Sequence, residues 1–216
     1  MMTAAHDTTT LLWLGLRTTV ILSVVSGAVA LVLGTIAAGM RVSPVPLLRG
    51  IGAVYVALIR NTPSTLLFFF TAFILPELGV HFSYFAFAWI ALSIYYGSFF
   101  CEVVRSGISS VAAGQAEAAR ALGLNFTMTL ANVILPQAVR TVIPPLINTF
   151  IAVVRTSAIA GAFGVAELFA ITNRLTNEES QSVLLILFIV ALLYLAITIP
   201  LSLLAGAIER KTTFAR

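Results

Sequence analysis

Apolar and polar positions alternate along this chain in long blocks, not at the short period of a half-buried strand. Leu11 to Met40 is a nearly continuous apolar stretch, with Arg17 near its start and Arg41 just past its end, long enough for a membrane-crossing helix. Leu47 to Ile59 is less apolar and carries Arg49, Gly50 and Gly52, which predicts a surface-lying or shallow helix. Asn61 or Thr62 is placed to cap a new helix with Pro63 at its first position. That helix runs from Ser64 to about Leu75, and Pro76-Glu77-Leu78-Gly79 reads as a turn. Phe82 to about Val104 is the next crossing.

A polar island then interrupts the oily pattern, Gln115-Ala116-Glu117-Ala118-Ala119-Arg120-Ala121-Leu122-Gly123. Ala and Glu favour helix, and Gly123 can take the left-handed conformation that ends one. Leu124 to Ala131 restarts a helix, and Pro136 sits where the chain is expected to turn back toward the membrane. A short helix-turn-helix on the membrane surface results, a shape suited to docking in a groove of a soluble partner. Arg140 to about Ala162 forms another crossing, with Pro144-Pro145 and the polar group Asn148, Thr149, Arg155, Thr156 and Ser157 inside it. Thr172 to Gln181 reads as a polar loop, and Ser182 to Ile208 as the last span. The expected architecture is an all-α helical bundle of five crossings.

Composition sharpens this. Of 216 residues, 60% are hydrophobic and 9% charged, with a mean hydropathy of +1.06. A soluble domain of this length could not hide so much apolar surface, so the chain reads as one integral membrane domain spanning residues 1–216. The net charge of +4 does not indicate nucleic acid, because the basic residues stand singly at span ends. They set orientation instead. With the N-terminus outside, the inner side receives Arg41, Arg49, Arg105, Arg120, Arg140, Arg210, Lys211 and Arg216, with Arg60 near that interface. The outer side receives only Arg17 and Arg174, beside Asp7, Glu77, Glu178 and Glu179. The island and the C-terminus are therefore expected in the cytoplasm.

Candidate chemistry is sparse. Cys101 is the sole cysteine, and His6 and His81 are too isolated for a metal cluster. The polar stretch to Thr10 has no basic leader, so no cleavable signal peptide is expected. No GxxxxGK[ST] phosphate loop and no catalytic grouping of His, Cys and carboxylate occur, so the chain is not expected to be an enzyme or to use ATP by itself.

Glu117-Ala118-Ala119, then Gly123, then Val133-x-Leu135-Pro136 resembles the EAA loop of permease subunits of ABC importers, with Val133 where Ile is usual. Arg60-Asn61-Thr62-Pro63, Glu102-x-x-Arg105-Ser106-Gly107-Ile108, Pro136-Gln137-Ala138 and Gly164-Val165-Ala166-Glu167-Leu168 resemble the branch that imports polar amino acids. The resemblance covers nearly the whole chain. It implies a type I importer transmembrane domain in a prokaryotic plasma membrane, with a coupling loop over about residues 112–136. It implies ATPase subunits that carry ATP and Mg, a second permease subunit (a homologue or the chain itself) and an extracytoplasmic substrate-binding protein. No cofactor is expected on this chain. Glu117, Ala118 and Ala119 would contact the ATPase, with Gly123 as the turn.

Arg155 is the sharpest path candidate, lying about 22 Å along the helix from Arg140. At that depth an ionisable group faces a cavity or a partner. It reads as a carboxylate ligand or gate, as an interfacial anchor, or as a partner of Glu167. The family often has Lys here followed by Asn or Asp, where this chain has Arg155 and Thr156. Asn148, Thr149, Thr156 and Ser157 read either as path-lining groups or as helix-helix hydrogen bonds. Asn61, Thr62 and Pro63 read as a cap or part of a gate, Glu102 and Arg105 as a pair on one helix face, and Phe68-Phe69-Phe70 as lipid contact or packing. A glutamate or glutamine importer is the favoured function. The rivals are a secondary transporter or channel that works without an ATPase, and a purely structural membrane subunit.

Overall fold

The structure, a computed structural model, describes residues 2–178 and 182–213. The elements in chain order are α1 (Met2–Val42), α2 (Pro46–Arg60), α3 (Ser64–Phe69), α4 (Leu75–Glu77), α5 (Tyr84–Ser109), α6 (Ala113–Ala121), α7 (Phe126–Thr129), α8 (Leu135–Thr156), α9 (Leu168–Glu178) and α10 (Val183–Thr213). Among the described residues there is no strand. Four stretches are long and apolar enough to cross a membrane, Thr8–Val42, Tyr84–Ser109, Phe126–Phe163 and Val183–Lys211. The helices α2 and Ser64–Glu77 meet at a bend of 99°, and counted together as one broken span they bring the total to five. The described residues thus hold four to five membrane helices, against the five expected.

Helices α1, α5 and α8 form the centre. Their shared core includes Leu22, Ala30, Leu92, Tyr96, Phe100 and Val153. In a bilayer, helices associate through close packing and not through water exclusion, so small residues mark the tightest crossings. Here Gly34 lies against Gly97 so closely that a Cβ on Gly34 would sit 2.7 Å from the Gly97 carbonyl. Cross-helix hydrogen bonds fasten the same region: Ser93 Oγ donates to Ser26 O (3.3 Å) and Tyr55 OH to Ile94 O (2.7 Å). A second cluster of Leu12, Leu168, Ile171, Leu175, Ile186 and Val190 joins α1, α9 and α10 at the other end of the bundle.

Several expectations change. The stretch read as a polar loop from Thr172 is largely helix α9, with Glu179, Ser180 and Gln181 outside the described residues. Leu168, Ile171 and Leu175 bury one side of α9, and only its other side is polar. Pro136 does not turn the chain. A π turn over Leu130–Ile134 precedes it, and the missing proline N–H is absorbed by that wider turn, so α7 runs on into α8. The same device, a π turn over Phe70–Ile74 followed by Pro76, occurs between α3 and α4.

Asn61 and Thr62 do not cap α3. Asn61 Nδ2 donates to Ala57 O (2.7 Å) and Thr62 Oγ1 to Leu58 O (2.8 Å), so both fold back onto the last turn of α2. Pro63 itself occupies the position before α3, with no side-chain cap. The sharp bend exposes the carbonyls of α2, and these two side chains answer them. Phe68 is buried and stacks on Phe163 at 5.5 Å, whereas Phe69 and Phe70 are exposed.

Candidate functional site

One face of α5 and one face of α8 line a continuous set of cavities. Tyr96, Phe99, Val103, Ser106 and Ser110 recur at three- and four-residue steps along α5, and Thr141, Pro145, Asn148, Ala152 and Arg155 do so along α8. A cavity of about 540 Å³ is lined by Tyr95, Tyr96, Phe99, Asn148 and Thr149 among others. It shares Val103 and Pro145 with a cavity of about 420 Å³ nearer the α6–α7 hairpin, lined by Arg60, Glu102, Arg105, Ser106, Ser110 and Thr141. A third, of about 380 Å³, joins them through Arg60 and Phe99 and includes Asn61.

The predicted polar group on α8 divides. Asn148 is exposed on the cavity wall and forms no hydrogen bond among the described residues. Thr149 also lines it, with its hydroxyl returned to Pro145 O (2.9 Å). Thr156 Oγ1 is held 2.5 Å from the Tyr96 hydroxyl, which also reaches Ala152 O at 2.9 Å; that is a helix-helix tie. Ser157 is fully buried and donates to Val154 O (2.8 Å), so it faces the bundle and not the cavities. Arg155 is exposed, continues the Thr141–Asn148 stripe two turns further, and makes no hydrogen bond or ion pair with a described residue.

Arg155 does not pair with Glu167. That carboxylate is fully buried and caps the first turn of α9, accepting from Phe169 N (2.8 Å), Ala170 N (2.7 Å) and Tyr194 OH (3.1 Å). With these donors, and the Thr19 hydroxyl beside them, no role is left for a guanidinium.

Glu102 gathers three cations. Arg105 Nη2 lies 2.9 Å from it, Arg41 contacts its other oxygen, and Arg60 Nη1 stands at 3.9 Å. The expected Glu102–Arg105 pair is therefore part of a larger cluster. Arg60 also sits over the Phe99 ring, 5.0 Å from its centroid, a cation–π arrangement. Sequence reading missed Arg41 and Arg60 as cluster members, since helices remote in sequence deliver them. Tyr95, Tyr96 and Phe99 were missed too, although the regular spacing on α5 signals them.

The hairpin is built as its residues suggest. Gly123 has φ +82; its N–H donates to Arg120 O (2.9 Å) and the Leu124 N–H to Ala119 O (3.1 Å), the paired bonds of a Schellman stop. Asn125 then caps α7, accepting from Met128 N at 2.9 Å. Glu117 and Ala118 are exposed, and Leu122 is 82% exposed at the tip. Ala119 differs from the expectation: at 4% exposure it packs inside the hairpin, so it sets the spacing of the two arms.

Residues 30–214 match the family described as binding-protein-dependent transport system inner membrane component. The chain belongs to that family. The permease is 35% identical over 204 residues to the "Probable glutamine ABC transporter permease protein GlnP" of Bacillus subtilis (strain 168), covering 94% of each chain. It is 36% identical over 205 residues to the glutamate transport system permease protein GluC of Corynebacterium efficiens, covering 89% of this chain and 90% of the relative. A solved structure described as an amino acid ABC transporter with histidines superposes with a TM-score of 0.89 at 28% identity, over 96% of this chain and 97% of that one. The permease thus has the all-α fold of ABC importer membrane subunits.

Proposed function

We propose that this permease is the membrane path of an ATP-driven importer for a polar amino acid, glutamine or glutamate, working by alternating access. The observation that carries the reading is the joining of two features: the exposed hairpin presents Glu117, Ala118 and Leu122 on its first arm and turn, and its second arm continues through α7 into α8, whose Pro145, Asn148 and Ala152 line the cavities. A partner that moves the hairpin therefore shifts the part of the wall nearest it, at Thr141 and Pro145. The names of the relatives support the substrate class. ATPase subunits holding ATP and Mg dock on the hairpin, a second permease subunit covers the open α5–α8 face, and a binding protein delivers substrate from outside. This chain binds no cofactor.

The hairpin lies in the cytoplasm with the C-terminus, and the N-terminus lies outside, as the basic residues favour. In a Cys101-free background, cysteines at the exposed positions Gln115 and Glu178 should label from opposite sides. Labelling of both from the outer face would overturn this orientation. Co-purification with an ATPase and ATP-dependent uptake test the function directly, and an ATPase-independent carrier would show neither. Gly123→Val places a branched side chain at positive φ, a strain of about 1–2 kcal/mol. It should insert normally yet lose substrate-stimulated ATP hydrolysis and uptake.

A further inference from the structure

The Glu102 cluster is unbalanced. Three guanidiniums from α1, α2 and α5 share one carboxylate beside the packed ends of these helices, with side-chain exposures from 22% to 41%. Two uncompensated positive charges are costly in such a place unless they face water or meet an anion. They do face a cavity: Arg60 and Arg105 both line it, with Ser106, Ser110 and Thr141 offering hydroxyls around them. Of the three cations, Arg60 is the least committed. Its nearest carboxylate oxygen stands at 3.9 Å, beyond hydrogen-bond reach, and its guanidinium forms no hydrogen bond with a described residue. The Phe99 ring beneath it fixes its plane without using its donors. Arg105 also keeps a buried Nε–H without an acceptor.

We propose that Arg60, backed by Arg105, is a carboxylate-binding station at the hairpin end of the path, where the carboxylate of the transported molecule takes donors that Glu102 leaves free. This rests on the permease reading above and adds a second cationic stop. Arg155 and Pro145 are about 15 Å apart along α8, so a neutral stretch of Tyr95, Tyr96, Asn148 and Thr149 separates the two stops. Glu102 limits how tightly the station holds: it competes for the same guanidiniums and so lets the carboxylate leave. A planar fork of donors suits a carboxylate better than an ammonium would.

The test uses the complete transporter, with its ATPase and binding protein, in proteoliposomes. Initial uptake of radiolabelled L-glutamine and L-glutamate is measured over a range of concentrations, with thermal stability followed in parallel. Arg60→Met should lower kcat about tenfold or more without shifting the melting midpoint, and Arg60→Lys should retain clearly more. Glu102→Gln should lower KM and kcat together, because the unopposed guanidiniums release the carboxylate slowly. Parental uptake by Arg60→Met overturns the station. So does an equal fall in stability for Arg60→Met and Glu102→Gln, which marks the cluster as a structural tie. If the parental transporter moves neither amino acid, the substrate assignment fails separately. Acetate protection of an introduced cysteine at Ser106, relative to chloride, then decides the station: protection lost with Arg60→Met supports it, and protection no greater than that of chloride overturns it.

Discussion

The two carboxylates that matter in this permease, Glu102 and Glu167, are satisfied in opposite ways. Glu167 has no exposure and no cation; two backbone amides and the Tyr194 hydroxyl hold it. Glu102 is 22% exposed beside a cavity and is crowded by three guanidiniums. A carboxylate bound by fixed amides has one favourable geometry, and it fastens α9 and α10 in place. A carboxylate shared by three arginines leaves their remaining donors open to a second acceptor. The first is a staple and the second an exchange point.

The largest expected effect tests the staple. Glu167→Met orphans two amides and the Tyr194 hydroxyl in the packed α1–α9–α10 region, a loss of about 3 kcal/mol or more, read as thermal stability of the purified protein. Unchanged stability would break the comparison. Next, Arg155→Met should cut uptake about tenfold, equivalent to about 1.4 kcal/mol, with stability unchanged because Glu167 is engaged elsewhere. Arg155→Lys should keep part of the uptake, and removing Glu167 as well should rescue nothing. Uptake at the parental rate in Arg155→Met would reduce Arg155 to an interfacial anchor. Tyr194→Phe removes one of the donors to Glu167 and should cost about 1 kcal/mol. Smallest of all, Glu178→Gln breaks an exposed pair with Arg174 at 2.9 Å and should shift stability by less than about 0.5 kcal/mol.

What was legible in the sequence follows from what is local. The long apolar runs, the Schellman glycine at 123 and the Glu102–Arg105 pair are all set within a few residues, and each stands as expected. Helix α9 was hidden because its buried side uses few apolar residues, Leu168, Ile171 and Leu175, with Thr172 among them, while the intervening residues read as loop. Asn61 and Thr62 have the chemistry of an N-cap, but the 99° bend turns them backward. Ser157 shares a polar run with Arg155, yet two residues along a helix is a large rotation, and it faces the core. The full Glu102 cluster depended on the packing of α1 and α2 against α5, which no local pattern encodes.

The unbroken path from Phe126 to Arg155 makes the second hairpin arm a lever about 43 Å long. Its stiffness is uneven. Pro136, Pro144 and Pro145 each delete a backbone donor, and the π turn over Leu130–Ile134 widens one rung. Bending therefore concentrates between the hairpin and Pro145, whereas the segment from Leu146 to Thr156 stays rigid and is tied to α5 through Tyr96. Under the proposed coupling, a push at the tip becomes a change of angle between α5 and α8 at the level of the Arg60 cavity, with the upper part of the path as the fulcrum.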